Sequence, residues 1–411
     1  MNLPTPTALA KGIGPSLDDA GSPPIGDTIW EAGGDFPQLT LNAAHLSGNI
    51  AAMAGYVSAH GARLAPHGKT AMSPEIAQMQ LDAGAWAITA ASPAQLRVYR
   101  AAGFSRLLLA NELVEPNTIS WLQRELDRDR SFECYVGVDS PAGLALLRRD
   151  AGDREIQALI EVGHPGGRTG TRDAAATRGL VQAARTIPGV RVAGLTAYEG
   201  TLGGEPTAET LVDVRRFARE LGELATQLRA EELLPQDFIV SIGGSAFFDE
   251  ALAGLRDGAV AAERIVLRSG AYATHDDLHY REVTPSARNS PGAPRLSPTI
   301  TIWAPVLSRP EPGLALLLCG RRDVGFDEGL PLVRGARHRD GSGARALPGA
   351  TVTSLADQHA FLSLPADAGL EVGDLVELGI SHPCTTLDRW GAIPLVDDEQ
   401  RILGLIRTFF S

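Results

Sequence analysis

The sequence predicts an α/β protein, in which a (β/α)8 TIM-type barrel is followed by a C-terminal β domain. The first observation is that short apolar segments alternate with helical segments eight times, and this rhythm over about 230 residues is typical of such a barrel. The second is that polar residues follow the predicted strands, where these barrels carry their chemistry. The third is a change to short strand-like segments after residue 287. A doubly wound open sheet is the alternative for the first part.

The 411 residues are enough for two domains. Residues 1–30 are rich in Gly, Pro and Asp, and we expect them to form an N-terminal arm. The barrel is predicted over residues 31–287 and the β domain, with a candidate metal site, over residues 288–411. The boundary lies at Arg288–Pro298, a stretch rich in Pro, Ser and Gly.

The predicted barrel strands are apolar and mostly not alternating, as expected for strands buried on both faces. They cover Arg63–His67, Ala85–Ala90, Arg106–Asn111, Phe132–Asp139, Ile156–Val162, Arg191–Glu199, Phe238–Gly244 and Arg264–Gly270. Several of the helices around them open with Ser-Pro or Glu-Pro, which is typical of helix starts. The helices cover Asn42–His60, Pro74–Ala83, Pro93–Ala102, Pro116–Arg128, Pro141–Asp150, Ala174–Thr186, Glu209–Glu232 and Asp249–Asp257.

In the C-terminal part, strand-like segments separated by Pro, Gly and Asp predict the β domain. The segments cover Thr299–Val306, Gly313–Cys319, Ala350–Ser354, Ala360–Leu364, Leu375–Leu378 and Ile402–Phe409. The stretch Arg334–Gly349 between them is expected to be an exposed loop.

Charge and cysteine content exclude several classes of function. A net charge of −12 argues against nucleic acid or an anionic membrane as the main partner. No apolar run approaches the roughly 18 residues of a membrane span, and Met1–Pro24 lacks the apolar core of a signal peptide. Three widely spaced cysteines make no disulfide framework, so we expect a cytoplasmic protein.

Lys69 is the first candidate for chemistry. It lies in Pro66-His67-Gly68-Lys69-Thr70, just after a predicted strand, and Lys11 is the chain's other lysine. Arginine cannot form a Schiff base, whereas a desolvated lysine can attack a carbonyl. A lysine retained here in an arginine-rich chain therefore indicates amine chemistry, and a surface lysine in a turn is the alternative.

Two neighbouring segments at the predicted seventh and eighth strands indicate an anion site. Ser241–Ser245 holds Gly243 and Gly244, whose N–H groups can approach an anion, and Leu267–Tyr272 ends the next strand. These strands form the usual phosphate site of such barrels. A tight turn that needs glycine is the alternative.

Arg168 and Tyr198 also follow predicted strands. Arg168, in Gly166–Gly170, can donate to an acidic oxygen of a ligand, or else form a salt bridge on a solvated loop. The Tyr198 phenol can contact a ring nitrogen or a moving proton, or else pack in the core.

His382-Pro383-Cys384 is the candidate metal site in the β domain. On an extended segment, side chains at i and i+2 point to the same side, and imidazole and thiolate are both good zinc ligands. A buried cysteine beside a chance histidine is the alternative. Asp357-Gln358-His359 is expected to be either a partner of these ligands or a solvated turn.

These motifs resemble the D-serine dehydratase/D-threonine aldolase family, whose members are pyridoxal-phosphate (PLP) enzymes with the alanine-racemase type of barrel. The resemblance extends from about residue 30 to the C terminus and rests on PHGKT, GGRTG, AYEG, SIGGS, LRSGAY and SHPCTT. It implies that Lys69 is the Schiff-base lysine, with His67 and Tyr198 as further catalytic candidates. The remaining implied contacts are Arg168 and Tyr198 at the pyridine ring, Gly243, Gly244, Ser245 and Tyr272 at the phosphate, and His382 and Cys384 at a divalent metal.

In this family the dehydratase branch carries a His-x-Cys motif and the aldolase branch a His-x-Asp motif. With Cys384, this chain resembles the dehydratase branch. The resemblance implies a zinc-dependent homodimer that converts D-3-hydroxyamino acids, such as D-serine or D-threonine, into a 2-keto acid and ammonia. An aldolase, an amino-acid racemase and a non-enzymatic PLP-binding protein are the alternatives. The segment Thr274–Asp277 matches neither branch closely.

Overall fold

The fold class predicted from the sequence is confirmed by a computed structural model, which describes residues 11–12, 24–149 and 154–410. Most of the predicted arm therefore lies outside the described residues. The described chain forms a curled parallel sheet of eight strands, surrounded by helices, and a second, mainly antiparallel sheet.

The elements follow one another in the predicted rhythm. Strand β1 (Gln38–Asn42) belongs to the second sheet and leads into helix α1 (Ala43–Ala59). The parallel strands are β2 (Arg63–Leu64), β3 (Ile88–Ala90), β4 (Arg106–Glu112), β5 (Glu133–Val138), β6 (Ile156–Val162), β7 (Val190–Ala197), β8 (Ile239–Ile242) and β9 (Ile265–Leu267). The helices are α2 (Pro74–Asp82), α3 (Pro93–Ala101), α4 (Pro116–Arg128), α5 (Pro141–Leu147), α6 (Ala174–Ala184), α7 (Ala208–Ala230), α8 (Phe248–Asp257) and α9 (His279–Val283).

The parallel sheet curls into a barrel with the strand order β2-β9-β8-β7-β6-β5-β4-β3. The two end strands, β2 and β3, meet through an isolated bridge between His67 and Thr89. The Thr89 amide donates to Pro66 O at 2.8 Å and the Trp86 amide to Leu64 O at 2.7 Å. Because this seam lies just before Lys69, the position of the lysine depends on the closure of the barrel.

Side chains on both faces of the barrel strands are buried, which explains their continuous apolar sequences. On β4, for example, Leu107 and Leu109 belong to the main core, whereas Leu108 packs in a smaller cluster with Leu159 and Val266. The predicted Ser-Pro helix starts are confirmed at α2, α3 and α5, where the serine side chain accepts a backbone N–H of the first turn.

The second sheet consists of β1 and eight later strands. These are β10 (Ile300–Glu311), β11 (Leu314–Leu317), β12 (Leu332–Arg337), β13 (Thr351–Leu355), β14 (Ala360–Ser363), β15 (Leu375–Gly379), β16 (Ala392–Val396) and β17 (Ile402–Arg407), with α10 (Pro383–Leu387) after β15. Its order is β13-β14-β11-β10-β1-β16-β17, and β15 joins β12 to β10.

Three strands of this sheet, β1, β12 and β16, were not predicted. Strand β1 pairs with β10 and β16 although its residues precede the barrel. The expected loop at Arg334–Gly349 is wrong for its first residues, because β12 pairs there with β15 and Ala336 is buried. Among the described residues, no helix is long and apolar enough to cross a membrane.

Candidate active site

A cavity of about 190 Å³ opens at the carboxyl ends of the barrel strands. It gathers polar side chains from distant parts of the chain. The lining residues are His67, Lys69, Thr70, Ala91, Ala110, Asn111, Glu161, Arg168, Thr196, Tyr198, Gly243, Gly244, Ser245, Arg268, Gly270, Ala271, Tyr280 and Cys384. Most of the predicted site residues therefore meet in one place, and the exceptions are Tyr272 and His382.

Lys69 lies in a short 3₁₀ helix, Gly68–Thr70, directly after β2. The Tyr99 hydroxyl donates to Gly68 O at 2.8 Å, and a Cβ on Gly68 would lie 2.2 Å from that hydroxyl oxygen. Glycine is therefore required beside the lysine. Lys69 is exposed to the cavity, whereas Lys11 donates to Asp323 Oδ1 at 2.9 Å in the β domain.

His67 lies at the floor of this cavity. Burial lowers the pKa of its imidazole well below the usual value, and the positive charges of Lys69, Arg268 and Arg168 lower it further. Its Nδ1 is buried and has no hydrogen-bond partner among the described residues. His67 is therefore a neutral imidazole next to the lysine.

The guanidinium of Arg168 lies over the ring of Tyr198, with its carbon 4.9 Å from the ring centroid. Burial raises the pKa of the Tyr198 phenol, and the neighbouring Glu199 carboxylate raises it further. The loop that carries Arg168 is shaped by Arg172, which donates to the carbonyl oxygens of Gly167, Arg168, Thr169 and Gly170. Arg172 was not identified from the sequence.

The glycine loop differs from its predicted role. The amides of Gly243 and Gly244 both donate to the carboxylate of Glu199, which is fully buried. Burial raises the pKa of Glu199, and these two amide donors oppose that shift. The two N–H groups are therefore bonded to a carboxyl group of the protein itself.

Ser245 completes the turn with the next strand. Its Oγ accepts from the amides of Gly270 at 3.3 Å and Ala271 at 3.2 Å. A Cβ on Gly270 would lie 2.3 Å from His67 O, so only glycine allows this close approach. The hydroxyl hydrogen of Ser245 remains available to an acceptor in the cavity.

Tyr272 does not line the cavity, in contrast to its predicted place at a phosphate. Its ring is fully buried in the core, and its hydroxyl accepts a hydrogen bond from Gln80 Nε2 at 2.9 Å. The prediction is corrected here, because the chain turns away from the cavity after Ala271.

Arg268 is a functional candidate that sequence reasoning missed. Its guanidinium is buried at the cavity floor and donates to Thr196 Oγ1 at 2.9 Å, to Ser241 Oγ at 2.7 Å and to Ala197 O at 2.6 Å. Burial lowers its pKa, and the charges of Glu161 and Glu199 oppose that shift. A buried arginine held by neutral oxygens keeps its positive charge for the cavity.

Two carboxyl groups on β4 and β6, Glu112 and Glu161, form a second feature that was missed. Burial raises the pKa of Glu112 to about 8, and the charge and hydrogen bond of Glu161 contribute to this shift. Burial and the nearby charge of Glu161 both favour the protonated form of Glu112. Glu161 faces the cavity.

The metal candidates lie above the barrel. His382 precedes α10, and Cys384 lies in the first turn of this helix, so the segment is not extended as expected. Cys384 Sγ nevertheless lies 3.4 Å from Thr70 Oγ1, next to Lys69. His382 Nδ1 lies 2.7 Å from Asp327 Oδ2.

Burial lowers the pKa of His382, but hydrogen bonds and charges from Cys384 and Asp327 outweigh it and raise the pKa to about 9. The imidazole therefore lies between two groups that attract a positive charge. Ligand atoms of Asp327, Glu328 and His382 also lie within 4.8 Å of one another. The turn at Asp357–His359 is exposed and is not part of this cluster.

Two family models match this chain, one over the barrel and one over much of the second sheet. Residues 41–279, more than half of the chain, match the family model for the alanine racemase N-terminal domain. Residues 299–396 match the model for a serine dehydratase domain. The resemblance inferred from the motifs is thereby confirmed.

Similar proteins cover nearly the whole chain. A D-threonine aldolase from Arthrobacter sp is 29% identical over 366 residues, 89% of each chain. A D-threo-3-hydroxyaspartate dehydratase from Delftia sp. (strain HT23) is 27% identical over 374 residues, which cover 86% of this chain and 91% of the relative.

Solved structures share the fold. The D-threonine aldolase from Filomicrobium marinum superimposes with a TM-score of 0.79 at 22% identity, over 93% of this chain and 97% of that one. The Delftia dehydratase gives 0.72 at 23% identity, over 94% and 100%. The chain therefore belongs to the alanine racemase N-terminal domain family, in the group that also carries a serine dehydratase domain, and it is a lyase.

Proposed function

We propose that this lyase is a PLP- and divalent-metal-dependent dehydratase that converts D-3-hydroxyamino acids, such as D-serine or D-threonine, into a 2-keto acid and ammonia. The observation that carries this proposal is the meeting of Lys69 and Cys384 in one cavity, with the thiol 3.4 Å from the hydroxyl of Thr70. The amine and the metal ligand come from different domains, so their meeting is a property of the tertiary structure.

The cavity fits a PLP cofactor. Lys69 is an accessible amine, and Lys69, Arg168 and Arg268 give the lining a positive charge that suits a phosphate and a substrate carboxylate. Ser245 offers a hydroxyl donor at the cavity, while Arg168 and Tyr198 supply a flat cationic and aromatic surface. Lys69 would hold the aldehyde carbon of the cofactor, and Ser245 its phosphate.

The donor set also fits a divalent metal. A thiol, an imidazole and nearby carboxylates are present, and the raised pKa of His382 reports the anionic surroundings that a cation requires. His382 and Cys384 would hold the ion. We propose zinc, since a thiolate–imidazole pair favours a borderline-soft ion.

When bound, PLP acts as an electron sink for the electrons left at the substrate Cα, and the metal acts as a Lewis acid towards the β-hydroxyl. Lys69 Nζ accepts the proton from Cα. Neutral His67 places no second positive charge beside that amine. Hydroxide then leaves Cβ, and water hydrolyses the released enamine to a keto acid and ammonia.

A D-threonine-type aldolase is the second candidate. It is favoured by the name of the Arthrobacter relative, whose identity of 29% exceeds the 27% of the dehydratase. Cys384 is our reason for preferring the dehydratase, because the aldolase branch resembles His-x-Asp. The structure of a cysteine-to-alanine mutant of the Delftia dehydratase is in the metal-free form, which indicates that this relative also has a metal-bound form.

Product analysis tests the proposal. Purified protein loaded with PLP and zinc is incubated with D- and L-serine, D- and L-threonine and D-3-hydroxyaspartate. We expect ammonia and a 2-keto acid in equal amounts from the D-isomers alone. Glycine and an aldehyde as the main products would identify an aldolase instead, and inversion without cleavage would identify a racemase.

We also propose a cytoplasmic homodimer. Phe326 is 43% exposed beside Asp327, and a second copy that covers this side chain would lie next to His382, the ion-pair partner of Asp327. Sedimentation of the holoenzyme measures the oligomeric state, and a fully active monomer would contradict the homodimer.

A further inference from the structure

The segment Thr274–Asp277 follows the last barrel strand and contacts the part of the chain that leads into His382 and Cys384. It lies between β9 and α9, and its residues are buried. The Asp276 carboxylate accepts hydrogen bonds from the backbone amides of Leu278 at 2.9 Å and Tyr280 at 3.1 Å. It therefore fixes the start of α9, which brings Tyr280 to the cavity.

Asp277 bonds across to the β domain. Its carboxylate is bound in a bidentate manner by Arg334 of β12, with Nε to Oδ1 at 3.0 Å and Nη2 to Oδ2 at 2.5 Å. Arg334 also donates to Thr301 Oγ1 at 2.8 Å and to Ile300 O at 3.2 Å. The two side chains are 5% and 22% exposed, so this ion pair is largely shielded from water.

The same carboxylate also holds the chain that leads into the metal ligands. The Ile380 amide donates to Asp277 Oδ2 at 3.3 Å, and the Asp277 amide donates back to Ile380 O at 3.1 Å. A Cβ on Gly379 would lie 2.4 Å from Asp277 Oδ2, so glycine is needed for this approach. Ile380 is separated from His382 by a single residue.

We propose that Asp277 and Arg334 form a clamp that positions the segment Ile380–Cys384 over the barrel and so sets the place of the metal ligands relative to Lys69. They are positioning residues, because neither lines the cavity. The geometry at stake is the contact of Cys384 Sγ with Thr70 Oγ1. The effect on metal binding rests on the proposed function of His382 and Cys384.

The test uses Asp277→Asn and Arg334→Lys in the PLP-loaded protein. Asp277→Asn removes the charge but keeps one acceptor oxygen, and Arg334→Lys keeps the charge but loses the bidentate geometry, so the second variant serves if the first does not fold. Glu125→Gln is the matched control. It removes the charge of Glu125, which binds Arg100 at 2.9 Å in an ion pair whose side chains are 11% and 8% exposed, between α3 and α4 and outside the cavity lining.

The first measurement is zinc affinity after chelation, by competition with a chromogenic chelator. We expect both clamp variants to bind zinc about 10–100-fold more weakly, as is typical for residues that orient metal ligands. Glu125→Gln should lower the melting temperature with unchanged zinc affinity. Clamp variants within about twofold of the unaltered protein would overturn the proposal.

The second measurement needs no metal. Cys384 is the partly exposed cysteine, whereas Cys134 and Cys319 are buried, so a chromogenic disulfide reagent reports on Cys384 in the metal-free protein. We expect faster reaction in both clamp variants and an unchanged rate in Glu125→Gln. An unaltered protein that binds no zinc, combined with this faster reaction, would overturn the proposed function but not the clamp. Unchanged rates would overturn the clamp.

Discussion

The two halves of the candidate site are built differently. The barrel half, with Lys69 and Ser245, is positioned mainly by its backbone, through strand ends, a barrel seam and glycines such as Gly68 and Gly270, where a Cβ would clash. The metal half, with His382 and Cys384, is held by side chains.

The side-chain contacts of the metal half are long-range. Asp327 binds His382, Asp277 binds the Ile380 amide, and Ser381 Oγ donates to Gly329 O at 2.7 Å. A site held by backbone tolerates the loss of a single side chain better than one held by side chains. We therefore expect the cofactor half to stay formed when the metal half is damaged.

The largest expected effect is that of Lys69→Ala. In the proposed mechanism Lys69 both holds the cofactor and accepts the Cα proton, so its loss should lower kcat by about 10⁴-fold or more, since a general base alone contributes up to that amount. Borohydride should no longer attach the cofactor to the chain, as measured by peptide mapping.

Lys11→Ala is the matched control for this change, because Lys11 is the other lysine of the chain. It loses an ion pair with Asp323 and a contact with the Trp390 ring at 4.1 Å, both remote from the cavity. Activity and cofactor attachment should remain. A cofactor attached to Lys11 would show that the cavity is not the active site.

Cys384→Ala separates the two halves directly. If Cys384 binds the metal as proposed, its loss should reduce elimination by about 100-fold or more, because the departing hydroxide would lose its Lewis acid. The visible absorbance of the bound cofactor should persist, since no contact of Lys69 is removed. Chelation of the unaltered protein should give the same phenotype. Elimination at the unaltered rate in either case would return His382-Pro383-Cys384 to a packed turn without a metal.

The contrast between local and long-range contacts explains which site residues could be predicted from the sequence. Lys69, Arg168 and Tyr198 follow strand ends, and this local pattern is visible in the sequence. Contacts between distant segments leave no such pattern. Asp327 lies far from His382 in the chain, and Glu199 fills the glycine loop only because β7 and β8 are neighbours in the barrel.

The missed strands have similar causes. Strand β1 has only five residues, of which Leu39 and Leu41 are apolar, and only its pairing with β10 assigns it to the second sheet. Strand β12 carries arginines, a glycine and a register shift against β15, which hide its alternation. The pair Glu112 and Glu161 offers no sequence signal, because each residue lies within the last two positions of a strand, like many solvated carboxylates.

The pair Glu112 and Glu161 predicts a pH effect confined to the barrel half. Because burial raises the pKa of Glu112 from 4.5 to about 8, the folded state binds this proton more tightly than the unfolded state. Stability is therefore lost as the pH rises from about 4.5 to 8, by about 1–2 kcal/mol after allowance for solvent screening. Glu112→Gln, which mimics the protonated form, should remove this loss.

Urea unfolding at pH 5 and pH 9 measures the effect. The stability of the variant should match that of the unaltered protein at pH 5 and exceed it at pH 9. The zinc affinity should be unchanged, because Glu112 forms no hydrogen bond or ion pair with His382 or Cys384. An equal difference at both pH values would show that Glu112 is not protonated in the folded state.

The smallest expected effect distinguishes the predicted phosphate residues. Ser245 lines the cavity and Tyr272 does not, so Ser245→Ala should weaken PLP affinity about tenfold, the value of one hydrogen bond to a charged group. Tyr272→Phe should leave PLP affinity unchanged. It should lower stability by about 1 kcal/mol, because Gln80 Nε2 loses its buried acceptor. PLP titration by fluorescence and thermal unfolding of both variants measure the contrast. Weaker PLP binding in Tyr272→Phe would restore Tyr272 to the phosphate site and show that the cofactor half rearranges when PLP binds.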